Sequence, residues 1–216
     1  EELLRKADMA LYEAKRNGRA QFQLFDQKIE KRARYKREIQ EDLLRAINHD
    51  EFLLFYQPII DLNTEQIVGV ESLLRWQHPE HGLLSPDRFI EIAEQSRLII
   101  PVGDWVMEKA CEQQVAWVNK GLPKLNISVN LSAVQFYQRD LHEKIHGVIA
   151  RTGIQSQNLT FEITESTLME TDNDLISYLN QLNKLGVKLV IDDFGTGYSS
   201  LAYLKRFPIQ QLKIDR

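Results

Sequence analysis

The chain predicts an α/β fold of the (β/α)-barrel kind, and three observations carry that expectation. From residue 38 onward, strand-like and helix-like segments alternate, the pattern of strands laid between covering helices. Within 125–131 and 159–164, apolar and polar residues alternate with period two, which sets one strand face against helices and turns the other inward. Composition supports a real core, with 43% hydrophobic and 27% charged residues in 216. Strands are expected near 52–57, 67–73, 125–131, 159–164, 187–192 and 211–215. These are six where a closed barrel needs eight, so the sequence predicts an incomplete or rearranged barrel with an exposed strand edge.

The N-terminal elements come first. Leu3, Ala7, Ala10 and Ala14 recur at helical spacing up to Asn17-Gly18. Gln21 to Phe25 then alternate like a short strand. Residues 27–37 are charged and contain neither Gly nor Pro, which predicts a helical connector rather than a floppy linker. It runs into a helix carrying Ile39, Leu43 and Ile47, and a new domain begins at residue 38. Further helices are expected near 87–95, 102–119, 139–151, 173–185 and 199–206. There is no internal repeat and no low-complexity tract.

Charge and cysteine content narrow the class. Residues 1–37 carry +5 and residues 38–216 carry −9. The basic residues are scattered along helical sequence, so they read as a solvated helix surface rather than a nucleic-acid site. No apolar run approaches the roughly 18 residues of a membrane span, and no secretory pattern opens the segment. Cys111 is the single cysteine, which rules out an intrachain disulfide and favours a reducing compartment.

The chemistry gathers at strand ends. The apolar run Val187 to Ile191 closes on Asp192-Asp193, followed by Phe194-Gly195-Thr196-Gly197 and a serine pair, Ser199-Ser200, able to cap a helix. Asn126, Ser128 and Asn130 share one strand face; Thr160, Glu162 and Thr164 share another. Barrel interiors are normally filled by branched apolar side chains. The oxygen-bearing set Glu71, Asn130, Glu162, Asp192 and Asp193 therefore needs a reason, and a bound cation is one, since carboxylates brought together otherwise repel. A donor set without His or Cys favours Mg²⁺ or Mn²⁺ over zinc. Each residue taken singly reads equally well as a helix cap or a strand-end polar group; the recurrence at matching strand ends favours ligation. Lys213 and Asp215 share a face of the last strand.

Glu71-Ser72-Leu73-Leu74-Arg75, Phe55-Tyr56-Gln57-Pro58-Ile59, Val129-Asn130-Leu131-Ser132, Glu162-Ile163-Thr164-Glu165-Ser166, Asp192-Asp193-Phe194-Gly195-Thr196-Gly197 and Leu212-Lys213-Ile214-Asp215-Arg216 are all present. Together they resemble the EAL family of cyclic di-GMP phosphodiesterases over residues 38–216, with serine standing for the alanine of the signature. The resemblance implies a TIM-like barrel that is C-terminally truncated in this chain. It also implies metal-dependent hydrolysis of cyclic di-GMP to linear pGpG in bacterial second-messenger signalling. One metal would take Glu71, Asn130, Glu162 and Asp192, and a second Asp192 and Asp193. Lys213 would hold the attacking water or the developing charge. Glu165 would order the loop after its strand and help join a homodimer. Gln57, Leu74, Arg75 and Asp215 would contact substrate. Two further glutamates and a glutamine of the family would, by the same resemblance, lie beyond Arg216. The wording Ala7-Asp8-Met9-Ala10-Leu11-Tyr12-Glu13-Ala14-Lys15-Arg16-Asn17-Gly18-Arg19 is similar to the end of a GGDEF (diguanylate cyclase) domain. The division expected is therefore 1–26 for that remnant, 27–37 for the connector and 38–216 for the EAL domain. Upstream GGDEF and sensor domains, a cytoplasmic location with a parent protein anchored at the inner membrane, and no DNA or RNA partner follow from the same likeness. A non-catalytic cyclic di-GMP receptor and a dimerisation module remain the alternatives.

Three other features have plainer readings. Cys111 shares a helical stripe with Met107, Val115 and Val118, as a buried small hydrophobe does. His142 and His146 stand four apart but have no third ligand nearby. Trp76, Trp105 and Trp117 are expected in packing rather than on a stacking platform.

Overall fold

The computed structural model describes residues 2–16, 18–169, 174–195 and 207–214, and the chain divides into two compact units, Glu1–His49 and Asp50–Arg216. The first unit holds helices α1 (Glu2–Arg16) and α2 (Gln27–Ala46). Asp26 starts α2 from extended backbone, its carboxylate accepting from the Ile29 N–H at 2.8 Å and satisfying a donor that the helix itself cannot. Nothing interrupts residues 27–46, so the expected connector and the helix after it are one element. Arg5 pairs with Glu30 at 2.7 Å, and the Lys6 ammonium lies over the Phe25 ring at 5.5 Å. The apolar stripe of α1 is buried only at Ala10 and Ala14, while Leu3 and Ala7 are exposed. The strand expected over 21–25 does not form. Among the described residues no strand pairs with it, and Phe22 and Leu24 stand exposed. Alternation without a partner edge leaves the backbone groups to water and makes no strand.

Among the described residues the second unit has seven strands: β1 (Phe52–Ile60), β2 (Ile67–His78), β3 (Gly82–Leu84), β4 (Asn126–Asn130), β5 (Leu159–Thr164), β6 (Lys188–Phe194) and β7 (Gln211–Ile214). Their order is β1-β2-β4-β5-β6-β7, with β3 also on β2. β2, β4, β5, β6 and β7 run parallel in succession, the barrel-forming arrangement, whereas β1 and β3 are antiparallel to β2. Chain length explains the exception. Only residues 61–66 join β1 to β2, turned by Asp61, whose carboxylate accepts from the Asn63 and Thr64 N–H groups at 2.9 Å each. A parallel pair would need a crossover of a dozen residues or more. The strand β3, beyond the six expected, follows a turn in which His78 Nδ1 accepts from the Glu80 and His81 N–H groups at 3.1 and 3.2 Å. Three residues are too few to carry a readable period. Among the described residues the sheet is not closed: β1 and β7 each pair on one side only.

The helices among the described residues of this unit are α3 (Ile90–Gln95), α4 (Ile99–Asn119), α5 (Ala133–Phe136), α6 (Leu141–Thr152), α7 (Glu165–Met169) and α8 (Asp174–Lys184). α4 starts three residues earlier than expected because Pro101 falls in its first turn, where a missing N–H costs nothing. α5 is opened by a capping box between Ser132 and Gln135. The helix expected over 199–206 lies outside the described residues. The outer sheet face packs an aromatic cluster in which Phe52 meets Trp76, Phe89 and Trp105 at centroid distances of 5.8, 6.4 and 5.7 Å. Tyr56 meets Trp117 edge-on at 4.8 Å. All three tryptophans thus serve packing, and Trp76 also donates from Nε1 to Glu51 at 2.9 Å. No helix among the described residues is long and apolar enough to cross a membrane.

Candidate active site

Register decides which side chains meet. In β2, Val70, Ser72, Leu74 and Trp76 are buried on the outer face, and Glu71, Leu73 and Arg75 lie on the inner one. Glu71 stands opposite Gln57 of β1 and Ser128 of β4; Asn130 stands opposite Glu162, and Thr164 opposite Asp192. The acids therefore step round neighbouring strands at one level of the sheet. The sheet curls far enough that its two ends, β1 and β7, line one cavity of about 400 Å³. Gln57 and Ile59 form one wall, Asp192 and Asp193 another, with Glu71 and Lys213 between them.

At the centre is the Lys213 ammonium. Its Nζ donates to Glu162 Oε2 at 2.6 Å, to Glu71 Oε2 at 3.0 Å and to Asp192 Oδ2 at 3.3 Å. Asn130 Nδ2 donates to the other Glu71 oxygen at 2.8 Å. Burial of the lysine works against its charge, but Glu162 and Glu71 outweigh it and hold its pKa above the usual lysine value. Burial, reinforced by Glu71, pushes the Glu162 carboxyl upward against the pull of the ammonium. With its side chain 1% exposed, Glu162 is a carboxylate that needs a cation beside it.

The strand end after Asp192 is bent to suit. Asp193 takes a left-handed φ of 54° and Gly195 one of 101°, in a ladder that slips between Ile191 and Phe194. The Asp193 N–H donates to Asp192 Oδ1 at 3.0 Å, so one oxygen of that carboxylate is held by its own chain and the other faces the lysine. Glu165, at the start of α7, is buried and accepts from the Gly195 N–H at 2.9 Å, which ties the turn after β6 to the end of β5.

Not all of the sequence-expected residues meet. Glu71, Asn130, Glu162, Asp192 and Lys213 are brought together, with Gln57 and Asp193 on the cavity wall. Arg75 shares the Glu71 face but lies farther along β2, over the Phe55 ring at 5.5 Å and donating to the Leu74 carbonyl at 2.7 Å. Strand parity turns the Leu74 side chain to the buried outer face, so only its backbone shares the inner environment. Asp215 lies outside the described residues. Ser72, also on the outer face, donates to the Ser128 carbonyl at 2.7 Å, so serine in the signature points away from the acids. One inward residue has no counterpart among the sequence expectations. Lys188 donates to Asn126 at 2.9 Å beneath the cluster, and its spacing of four from Asp192 is the signal that could have found it.

The donor set suits a hard divalent ion. Three carboxylates already surround one cationic atom, with the Asn130 carboxamide beside them on Glu71, and all are oxygen-bearing groups of the kind Mg²⁺ and Mn²⁺ take. Among the described residues no three His, Cys, Asp or Glu side chains are disposed to hold a metal as they stand, because the acids are spread around the larger ammonium. His142 and His146 contribute nothing to such a site.

The EAL domain family matches residues 40–216. The bifunctional diguanylate cyclase/cyclic di-GMP phosphodiesterase MucR of Pseudomonas aeruginosa is 41% identical over 215 residues, covering all of this chain and 31% of that protein. The cyclic di-GMP phosphodiesterase NbdA of the same organism is 40% identical over 216 residues, or 28% of its length. The chain thus spans less than a third of these curated relatives. Among solved structures, the MucR phosphodiesterase in complex with c-di-GMP superposes with a TM-score of 0.79 at 43% identity, over 82% of this chain and 72% of that one. With acids, lysine and parallel strands in this arrangement, and a match over residues 40–216, the chain belongs to the EAL domain family.

Proposed function

We propose that the protein of which this chain is part hydrolyses cyclic di-GMP to linear pGpG with the help of Mg²⁺ or Mn²⁺. The observation that carries the reading is the convergence of Glu71, Glu162 and Asp192, from three strands, on one cationic atom. Glu71, Asn130, Glu162 and Asp192 would hold one metal ion, and Asp192 with Asp193 a second. Such ions supply a water deprotonated near neutral pH and neutralise charge on the phosphate. Lys213 adds a positive charge that the phosphate meets as it enters the cavity. Gln57 on the β1 wall and Arg75 farther along the inner face orient the dinucleotide, the arginine through a forked contact to phosphate. Glu165 keeps the Asp193–Gly195 turn in place through the Gly195 N–H, and Asp215 accepts from a guanine edge.

The rest of the reading concerns the longer protein. Residues 1–26 are the end of a GGDEF domain, residues 27–37 a helical connector, and residues 38–216 the EAL domain. Upstream sensor domains, homodimerisation and a cytoplasmic site of action complete it. The test is direct. The full-length protein is incubated with cyclic di-GMP and Mg²⁺ or Mn²⁺, and pGpG is followed by chromatography. Ca²⁺ should support turnover poorly, since its looser coordination positions water badly. Tight binding with no product under any of these ions would favour the receptor reading instead.

A further inference from the structure

We infer that Lys213 is a resident counter-cation of the acidic cluster, which an incoming divalent metal must expel before it can bind. The inference rests on the proposed metal site and concerns a step that precedes chemistry. An ammonium has three N–H donors, and all three are directed at carboxylates, those of Glu162, Glu71 and Asp192. These are the same oxygens that a metal would need. A small divalent ion draws oxygen ligands to ~2.0–2.2 Å, whereas the ammonium nitrogen stands 2.6 to 3.3 Å from them. The two cations would occupy the same space among the same donors, and like charges at such a separation repel strongly in a partly buried site.

Structure explains why a lysine suits this role. Glu162 is buried, and a lone buried carboxylate is costly. The lysine satisfies it when no metal is bound. Lys213 reaches the cluster from β7, at the end of the sheet, on a flexible four-carbon stem, and its side chain is 27% exposed. It can therefore swing aside within the open cavity without moving a strand. Asn130 secures the second oxygen of Glu71, so that carboxylate stays oriented while its counter-ion changes. The consequence is competition: metal affinity measured on this chain contains the work of displacing the lysine.

The test uses Mn²⁺ alone, without nucleotide. Wild type and Lys213→Met are titrated, with free Mn²⁺ counted by electron paramagnetic resonance. Removing the competitor should tighten binding by at least about tenfold. A second measurement needs only the wild type. Amine acetylation by sulfo-NHS-acetate, read by mass spectrometry, should modify Lys213 several times faster at saturating Mn²⁺, as the ammonium leaves its carboxylates. This covers the case in which Lys213→Met does not fold. Mn²⁺ binding that is unchanged or weaker in Lys213→Met, or Lys213 acetylation that Mn²⁺ does not alter, overturns the displacement while leaving the metal site in place. Absence of Mn²⁺ binding in both proteins removes the metal site, and the hydrolytic reading falls with it.

Discussion

The two faces of the same sheet obey opposite rules. On the outer face, β2 contributes Val70, Leu74 and Trp76 and β1 contributes Phe52, all buried beneath an aromatic cluster that includes Phe89 and Trp105. On the inner face, the intervening residues of these strands and their neighbours include Gln57, Glu71, Arg75, Asn130, Glu162 and Asp192 beside apolar Phe55 and Leu73. One face gains free energy by removing apolar surface from water. The other holds like charges together and balances them with one ammonium, an arrangement that adds little to stability. A single strand can divide its labour in this way residue by residue, because side chains alternate across it.

That division can be broken one face at a time. The largest effect is expected from Glu71→Ala. If the inner face is the catalytic one, this change should lower turnover of cyclic di-GMP by several orders of magnitude, with binding still measurable by calorimetry. Normal turnover in Glu71→Ala would sink both the metal assignment and the hydrolytic reading. On the outer face, Trp76→Ala should cost roughly 3–5 kcal/mol of stability, read as a fall in the urea midpoint. A midpoint within error of wild type would mean that the aromatic cluster is not the core it looks to be.

Smaller effects sharpen the contrast. Arg75→Ala should weaken nucleotide binding by about 1.5–3 kcal/mol, the worth of a charge-assisted hydrogen bond, before any loss of turnover. Calorimetric affinities equal to wild type would remove Arg75 from the substrate site. The least visible effect concerns Cys111 on α4, where burial, with Glu108 and Glu112 nearby, pushes the thiol up to about 12. The native protein should therefore resist thiol alkylation at pH 8 and react only when unfolded. Linkage has a definite sign here. The folded pKa is above the unfolded one, so the contribution falls away as pH rises from about 9 towards 12, where an unfolded thiol ionises and the folded one does not. Rapid alkylation of the folded chain at pH 8 would contradict this burial.

Much of this molecule is legible in its residues alone. The period-two alternation of 125–131 and 159–164 locates β4 and β5 and says which residues face inward, since parity settles that. The acids at matching strand ends mark the site, and the charged, Gly- and Pro-free run at 27–37 marks part of α2. What escapes is whatever depends on a partner. Gln21 to Phe25 alternate as well as a strand does, yet have no edge to pair with. β3 is too short for a period. Leu74 sits within a functional signature but on the wrong parity for its side chain to reach the cavity.

Residue type and local spacing suffice for the family, the α/β alternation and the identity of the acidic residues, because none of these needs a distant partner. Only the folded chain settles that β1 runs antiparallel to β2 and that the sheet curls until β1 and β7 wall one cavity. Folding likewise places Lys213 among Glu71, Glu162 and Asp192. Glu71 lies 142 positions from the lysine in the chain and Glu162 lies 51, with Asp192 at 21. No local pattern encodes a meeting over such separations; it results from the order in which strands pair and the angle through which each turns against the next.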